Sequence, residues 1–223
     1  MNREEVMTVK YEVDGNEIKL SPAIVKNYIT GGVDLTDSEY KFFVELCKVR
    51  KLNPFLKEAY AIKFADNQPA QIVVGKDAIL KRAVKHSQFN GKKHGIIVVN
   101  EHGEIIERVG TLKLPKETLV GGWAKVYRKD WEFPTEVTVS FGEVAQKKKD
   151  GTLNSNWASK GATMVEKVAV VRALRETFVE DLGGMIDENE AWENKHLQEK
   201  SPKVEIIEQA DVFETEQTSL DDL

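Results

Sequence analysis

The sequence of 223 residues contains little of what several function classes require. Its single cysteine, Cys47, rules out an internal disulfide or a zinc-binding cysteine cluster, and it suits a reducing cytoplasm. Cys47 falls on an apolar helical face with no histidine near it in the sequence, which predicts a core side chain. No N-terminal signal and no apolar run of membrane-spanning length occurs, so we expect a soluble intracellular protein.

Motifs for nucleotide and metal chemistry are also missing. The phosphate-binding pattern GxxxxGK[ST] does not occur, and aspartate and glutamate form no DxD or ExK pattern among the predicted strands. The four histidines have no carboxylate at ligand spacing; they are His86, His94, His102 and His196. We therefore expect no cofactor, no ATP, no defined metal site and no covalent chemical step. Whether Mg²⁺ modulates activity stays open.

The net charge of −5 conceals two regions of opposite sign. From Asp181 onward there are 13 acidic and 3 basic residues, whereas residues 46–180 contain 24 basic and 15 acidic ones. A basic body followed by an acidic tail predicts a polyanion as the partner of the body.

The residue pattern predicts an α+β domain. Alternation around Asp14-Gly15 indicates a hairpin, Ser21-Pro22 opens a short helix, and Thr36 with Glu39 forms a capping box at the start of a longer helix. Further strands are predicted in an antiparallel meander interrupted by a few helices. These predicted strands cover residues 60–64, 72–74, 94–100, 104–112, 123–129 and 136–141, and a helix covers residues 77–86.

One long helix dominates the C-terminal half, with Ser159 as its expected cap and Gly183-Gly184 as its end. Its apolar residues cover nearly every side of the helix, which predicts that the helix is buried. It nevertheless carries four cations, Lys160, Lys167, Arg172 and Arg175. At about 100° per residue, Lys160 and Lys167 fall within about 20° of each other and Arg175 about 80° further round, so they form a cationic strip. Alternatively these cations extend to water or pair with Glu166 and Glu176.

Basic and aromatic residues alternate elsewhere in the predicted body. The run Lys147, Lys148 and Lys149 beside Gly151 predicts a mobile basic finger, for which an ordinary solvated loop is the alternative. Cations neutralise phosphates, and aromatic faces stack bases without reading sequence. We expect Trp123 and Phe141 in the core and Trp157 as the better stacking candidate. The remaining cations of this pattern are Lys76, Lys81, Arg128 and Lys129.

Several segments together resemble a known family. They are LNPFLKEAYA at residues 52–61, VVGKD at 73–77, QFNG at 88–91, YRKD at 127–130 and WAS at 157–159. In this order they are similar to the phage single-strand annealing proteins of the Redβ/RecT superfamily, in particular the Bet branch, over residues 36–190. The resemblance implies an ATP-independent recombinase that coats single-stranded DNA, anneals complementary strands, and assembles into rings or helical filaments.

The resemblance also implies site residues and partners. Lys129, Lys167 and Arg175 stand where the family has DNA-contacting cations, and Lys147–Lys149 match a basic finger, whereas Lys160 and Arg172 rest on charge alone. The implied partners are single-stranded DNA, the annealed duplex, a phage 5′→3′ exonuclease and a host single-strand-binding protein, in the cytoplasm of a bacterial host and away from membranes.

Three regions are expected. Residues 1–35 form an N-terminal hairpin and short helix that acts as an oligomerisation arm, residues 36–184 form the annealing core, and residues 185–223 form an acidic, largely disordered tail for partner docking, with one short helix around Val204–Ile207.

Three other functions stay open on sequence alone: a single-strand-binding protein that does not anneal, a nuclease subunit, and an adaptor that recruits through its tail.

Overall fold

The computed structural model of the chain describes residues 7–63 and 68–192. It combines antiparallel hairpins, a four-stranded antiparallel sheet and one long helix, so the predicted α+β class is confirmed. The strands are β1 (Val9–Val13), β2 (Asn16–Leu20), β3 (Ala59–Ile62), β4 (Gln71–Val74), β5 (Phe89–Val99), β6 (Ile105–Val109), β7 (Thr118–Arg128) and β8 (Thr135–Ser140). The helices are α1 (Pro22–Ile24), α2 (Asp37–Val49), α3 (Lys76–Lys85), α4 (Phe141–Val144), α5 (Ser155–Thr177) and α6 (Val179–Leu182). A π-helix (Val25–Ile29) follows α1, and a 3₁₀ helix (Pro54–Leu56) precedes β3.

The predicted N-terminal hairpin is present and is joined to the core. Asp14 and Gly15 both have positive φ, as a tight turn between twisted antiparallel strands requires. The side chains of Val13, Ile18 and Leu20 are buried in the same apolar core as the long helix. The described part of the 1–35 region, residues 7–35, is therefore packed on the rest of the chain.

The capping box at the start of α2 is confirmed. The Glu39 amide donates to Thr36 Oγ1 at 3.3 Å, and the Thr36 amide donates to Glu39 Oε2 at 2.7 Å. Behind this cap, Tyr40, Phe43, Val44 and Cys47 are buried at helical spacing. Cys47 is a core residue, as predicted, and burial raises the pKa of its thiol to about 12.

Glu39 makes the stability of the fold dependent on pH. Burial opposes ionisation of this carboxyl, but hydrogen bonds from the backbone amides of Ala70 and Thr36 and from Lys63 outweigh it and hold the pKa at about 2. Because the pKa is lower in the folded chain than in the unfolded one, the stabilisation is present above about pH 4.5 and is lost as the pH falls towards 2. We expect Glu39→Gln to cost about 1–2 kcal/mol of unfolding free energy at pH 7 and nearly nothing at pH 2. Urea titrations at both pH values measure this; an equal loss at both would contradict it.

The four-stranded sheet carries α5 on one face. The strand order is β6-β5-β7-β8, and all neighbouring strands are antiparallel, as predicted. The sheet is not a simple meander, because β7 pairs with β5 and not with β6, the strand that precedes it in the chain. Gly122 of β7 allows the helix to approach closely, since a Cβ there would lie 2.6 Å from the Val165 carbonyl oxygen. Strand alternation then places Lys125 on the opposite face of the sheet.

The start and end of the long helix differ from the prediction. Asn154, not Ser159, caps α5, because its side chain accepts the Trp157 amide at 3.0 Å, while Ser159 donates to the Ser155 carbonyl within the helix. Lys160 has non-helical backbone angles and kinks the helix. At the other end α5 stops at Thr177, and α6 continues to Leu182 before Gly183.

The chain after Gly184 begins as part of the packed structure. Met185, Asp187, Asn189 and Ala191 are buried, and the Val74 amide donates to the Ile186 carbonyl at 2.8 Å. Over residues 185–192 the expected tail is thus packed against the body, and we call this segment the C-terminal strap. The predicted helix around Val204–Ile207 lies outside the described residues.

Candidate nucleic-acid interface

Two cations on α5 face carboxylates of the C-terminal strap. Lys167 Nζ lies 3.3 Å from Glu188 Oε2, and Arg175 Nη1 pairs with Glu190 Oε1. Both cationic side chains are only 21% exposed, so each charge is largely removed from water. An electrostatic contact at such a site is stronger than one on an open surface.

These partners are not the ones expected from the helix alone. The Glu166 carboxylate is buried and contacts Nδ1 of His94 on β5, so it does not neutralise the strip. The partners of Lys167 and Arg175 come instead from residues 188 and 190, which are close to the helix only in the folded chain. We call Lys167, Arg172 and Arg175 the α5 strip. Arg172 lies between the other two in the sequence, and its side chain is half-buried.

Lys160 is separated from the α5 strip by the kink. A straight helix would place its side chain close to the direction of Lys167, but the break in helical geometry at Lys160 interrupts that periodicity. The residue is exposed at the N-terminal turn of α5. The regular helical spacing on which the alignment of Lys160 with Lys167 was predicted therefore does not hold across residue 160.

Arg128 and Lys129 lie at the end of β7 and make internal contacts. Arg128 binds Asp130, Glu180 and the Thr177 carbonyl, and its side chain is 10% exposed. Its guanidinium also lies over the rings of Trp131 and Phe178. These contacts join β7 to the end of α5. Lys129 is exposed and donates to the Ser87 carbonyl at 2.9 Å.

The basic finger is a closed turn. Lys147 and Leu153 form an antiparallel bridge, and the Lys148 amide donates to the Thr152 carbonyl at 2.7 Å. The three lysines Lys147, Lys148 and Lys149 are all exposed. A hydrogen-bonded turn presents these charges at fixed positions beside the start of α5.

Trp157 does not offer an exposed ring. Its side chain is 1% exposed and packs edge-on against Phe141, with ring centroids 5.6 Å apart. The expectation that its face could stack a base is therefore wrong, because the polar residues around it in sequence do not surround it in the fold. Trp123 is buried, as expected, and donates to the Arg108 carbonyl at 3.2 Å.

A groove of about 820 Å³ lies beside the α5 strip. It contains Lys76, Lys81 and Lys167 of the predicted set. Lys81 is held by Asp14 at 2.7 Å and by Glu58 at 2.8 Å. Three further lining residues are not among the predicted site residues, namely Tyr28, Phe55 and Lys57, although the last two lie in the LNPFLKE segment.

Two further features were sought in the described part of the chain, a metal-binding cluster and a membrane-spanning helix. Over residues 7–63 and 68–192, no group of three or more His, Cys, Asp or Glu side chains is placed to hold a metal ion. No helix among these residues has the length and apolar character needed to cross a bilayer.

An α+β body whose cations collect along one helix, one hairpin turn and one groove is typical of a protein that binds a polyanion. The family comparison is more specific. The model of the RecT family matches residues 16–206, and the chain belongs to this family of single-strand annealing proteins of DNA recombination. No curated protein matches the chain.

Proposed function

We propose that this protein anneals complementary single strands of DNA without a nucleotide, as a homo-oligomer that coats one strand and presents it to the second. The observation that carries the proposal is the α5 strip, where Lys167 and Arg175 already donate to carboxylate oxygens in a partly desolvated setting. Phosphate oxygens have the same charge and hydrogen-bonding character. Membership of the RecT family supports the proposal.

In the proposed mechanism, the protein holds the strand by its phosphates. Contacts to phosphates position a strand without reading its sequence, so the base edges stay available to a complementary strand. The lysines of the 147–153 turn are exposed, and we assign them a further phosphate contact with the same strand. Each protomer supplies only a few contacts, and affinity accumulates along the oligomer.

Partner docking is assigned by charge and by family. The acidic residues beyond the C-terminal strap do not suit a DNA contact, and we place docking of a phage 5′→3′ exonuclease or a host single-strand-binding protein there. The N-terminal hairpin and short helix are the proposed contact between protomers.

The direct test measures annealing of two complementary labelled oligonucleotides without nucleotide, with a host single-strand-binding protein as the reference. We expect the protein to accelerate annealing. We also expect the affinity for DNA to fall steeply with salt: the logarithm of the association constant should decrease with the logarithm of the salt concentration, with a slope of about −0.7 for each phosphate neutralised on a single strand. Binding without acceleration would leave a coat protein that does not anneal. Strand cleavage in the presence of Mg²⁺ would indicate a nuclease. A flat salt response would contradict the phosphate contacts.

Glu188 is expected to compete with DNA for Lys167. Replacing Glu188 by glutamine removes the negative charge 3.3 Å from the ammonium and keeps the size of the side chain. Since a half-exposed ion pair is worth up to about 1 kcal/mol, the affinity for single-stranded DNA should rise by up to about fivefold at low salt. The gain should shrink at high salt because screening weakens the pair in any case.

The matched control is Glu136→Gln. Glu136 pairs with Lys125 at 3.0 Å on the face of the sheet away from α5. The substitution therefore removes a similar ion pair at a position distant from the α5 strip. We expect unchanged DNA affinity for this variant, measured by fluorescence anisotropy. Equal affinities for the wild type and the Glu188→Gln variant at low salt would show that the strap does not compete with DNA.

A further inference from the structure

The groove beside α5 exposes apolar rings that the core does not use. Tyr28 on the π-helix is 78% exposed, and Phe55 on the 3₁₀ helix is 49% exposed. Leu56 next to it is also exposed, and all three side chains line the same groove of about 820 Å³. Exposed apolar residues gathered in one concave surface indicate a binding site.

The backbone that carries Phe55 is held in place. The Asn53 side chain accepts the Phe55 amide at 3.0 Å, and the Asn53 amide donates to Glu58 Oε2 at 2.8 Å. Lys57 ends the 3₁₀ helix in a left-handed conformation. Its carbonyl lies so close to Gly75 that a Cβ there would be only 2.7 Å from the oxygen. The ring is thus presented on a fixed turn, which lowers the ordering cost of binding.

The charges around the rings have one dominant sign. Lys57, Lys76, Lys81 and Lys167 line the groove together with two carboxylates, Glu58 and Asp77. Within residues 7–63 and 68–192 neither Lys57 nor Lys76 pairs with a carboxylate. The Glu58 carboxylate, which also lines it, is engaged by Lys81 at 2.8 Å and by the Asn53 amide. A ligand with apolar faces and regularly spaced negative charges complements this combination.

Single-stranded DNA is such a ligand. Its unpaired bases offer flat apolar faces and its phosphates offer the charges, whereas a duplex keeps its bases stacked inside. Lys167 belongs both to the groove and to the α5 strip, so one strand can run from the groove along α5 towards Arg175. Glu188 lies where the groove and the α5 strip meet, since it pairs with Lys167. Its charge is also close to Tyr60 of the groove: burial, together with the charges of Glu188 and Asp187, raises the pKa of Tyr60 to about 12.

We propose that the groove formed by Tyr28, Phe55, Lys57, Lys76 and Lys167 is a base-stacking subsite for single-stranded DNA. In it a base stacks on Phe55 or Tyr28 while the lysines hold the flanking phosphates. This inference rests on the proposed function, since it assigns where the bound strand contacts aromatic side chains.

The test uses the full chain and an oligonucleotide that contains the fluorescent base 2-aminopurine. Stacking of a base on an aromatic side chain changes the emission of 2-aminopurine, and truncation of such a side chain typically costs about 1–3 kcal/mol, or about 5- to 150-fold in affinity. We expect Phe55→Ala and Tyr28→Ala each to weaken binding at least about fivefold and to reduce the emission change, while Phe55→Trp restores both.

The matched control is Phe133→Ala, because Phe133 is 74% exposed and lies outside the groove, in the turn before β8. It should bind DNA as the wild type does. Wild-type affinity and emission change in the Phe55→Ala and Tyr28→Ala variants would overturn the subsite while leaving the α5 strip in place. A changed oligomer size with unchanged affinity per protomer would assign the groove to a protein contact and equally overturn it. Absence of single-strand binding by the wild type would instead refute the proposed function.

Discussion

Replacing Lys167 or Arg175 by alanine is expected to abolish annealing while leaving the fold intact. Both side chains are only 21% exposed and both already hold a carboxylate oxygen. A charge-assisted hydrogen bond to a phosphate at such a site is worth about 1.5–3 kcal/mol, so each variant should lose about 10- to 150-fold in affinity for single-stranded DNA. Because the loss is repeated in every protomer along the strand, annealing should become undetectable at protein concentrations that suffice for the wild type.

The matched control for this prediction is Lys125→Ala. Lys125 is also a partly buried lysine with one acidic partner, Glu136, but it lies on the other face of the sheet. It should anneal at the wild-type rate, and Arg175→Lys should recover part of the lost activity because it keeps the charge. Circular dichroism and urea unfolding check that the variants are folded. Normal annealing by folded Lys167→Ala and Arg175→Ala variants would show that the α5 strip does not hold the strand.

The Trp157→Ala variant is expected to lose stability instead of a DNA contact. The indole is 1% exposed against Phe141, and its N–H has no hydrogen-bond partner among the described residues, so the loss is one of packing. Removing a fully buried tryptophan typically costs about 3–5 kcal/mol. Urea unfolding at pH 7 measures the change.

Trp131→Ala provides the comparison, since Trp131 is 45% exposed and only flanks the Arg128 guanidinium. It should cost less than about 1 kcal/mol, the range of an exposed cation–π contact. If Trp157→Ala weakened DNA binding without lowering the unfolding free energy, the base-stacking role predicted from the sequence would be restored.

Local signals predicted local structure well. The Asp14-Gly15 turn, the Ser21 cap and the Thr36–Glu39 capping box each depend on residues within a few positions of one another, and each is present in the structure. The burial of Cys47 followed in the same way from helical periodicity. Where several residues compete for one role, local signals were insufficient: Ser159 looked like a cap, but Asn154 occupies that position and starts the helix earlier.

The candidate site was predicted only in part. Charge and spacing singled out Lys167 and Arg175 on α5, and the structure shows both as partly buried cations paired with carboxylates of the C-terminal strap. It separates Lys160 from them by a kink and engages Arg128 in contacts that join β7 to the end of α5. The rings of the groove were missed because Tyr28 and Phe55 are 27 positions apart and carry no shared pattern.

Reading along the chain is enough to predict the elements, the basic body with its acidic end and, through the resemblance of residues 36–190, the family. These properties depend on composition, on short-range hydrogen bonding and on periodicity, all of which can be read along the chain. Which charges are paired and which aromatic faces are exposed depends instead on the tertiary structure. Glu188 reaches Lys167 across 21 positions, and Trp157 is covered while Phe55 is not, because burial and ion pairing depend on which distant segments pack together.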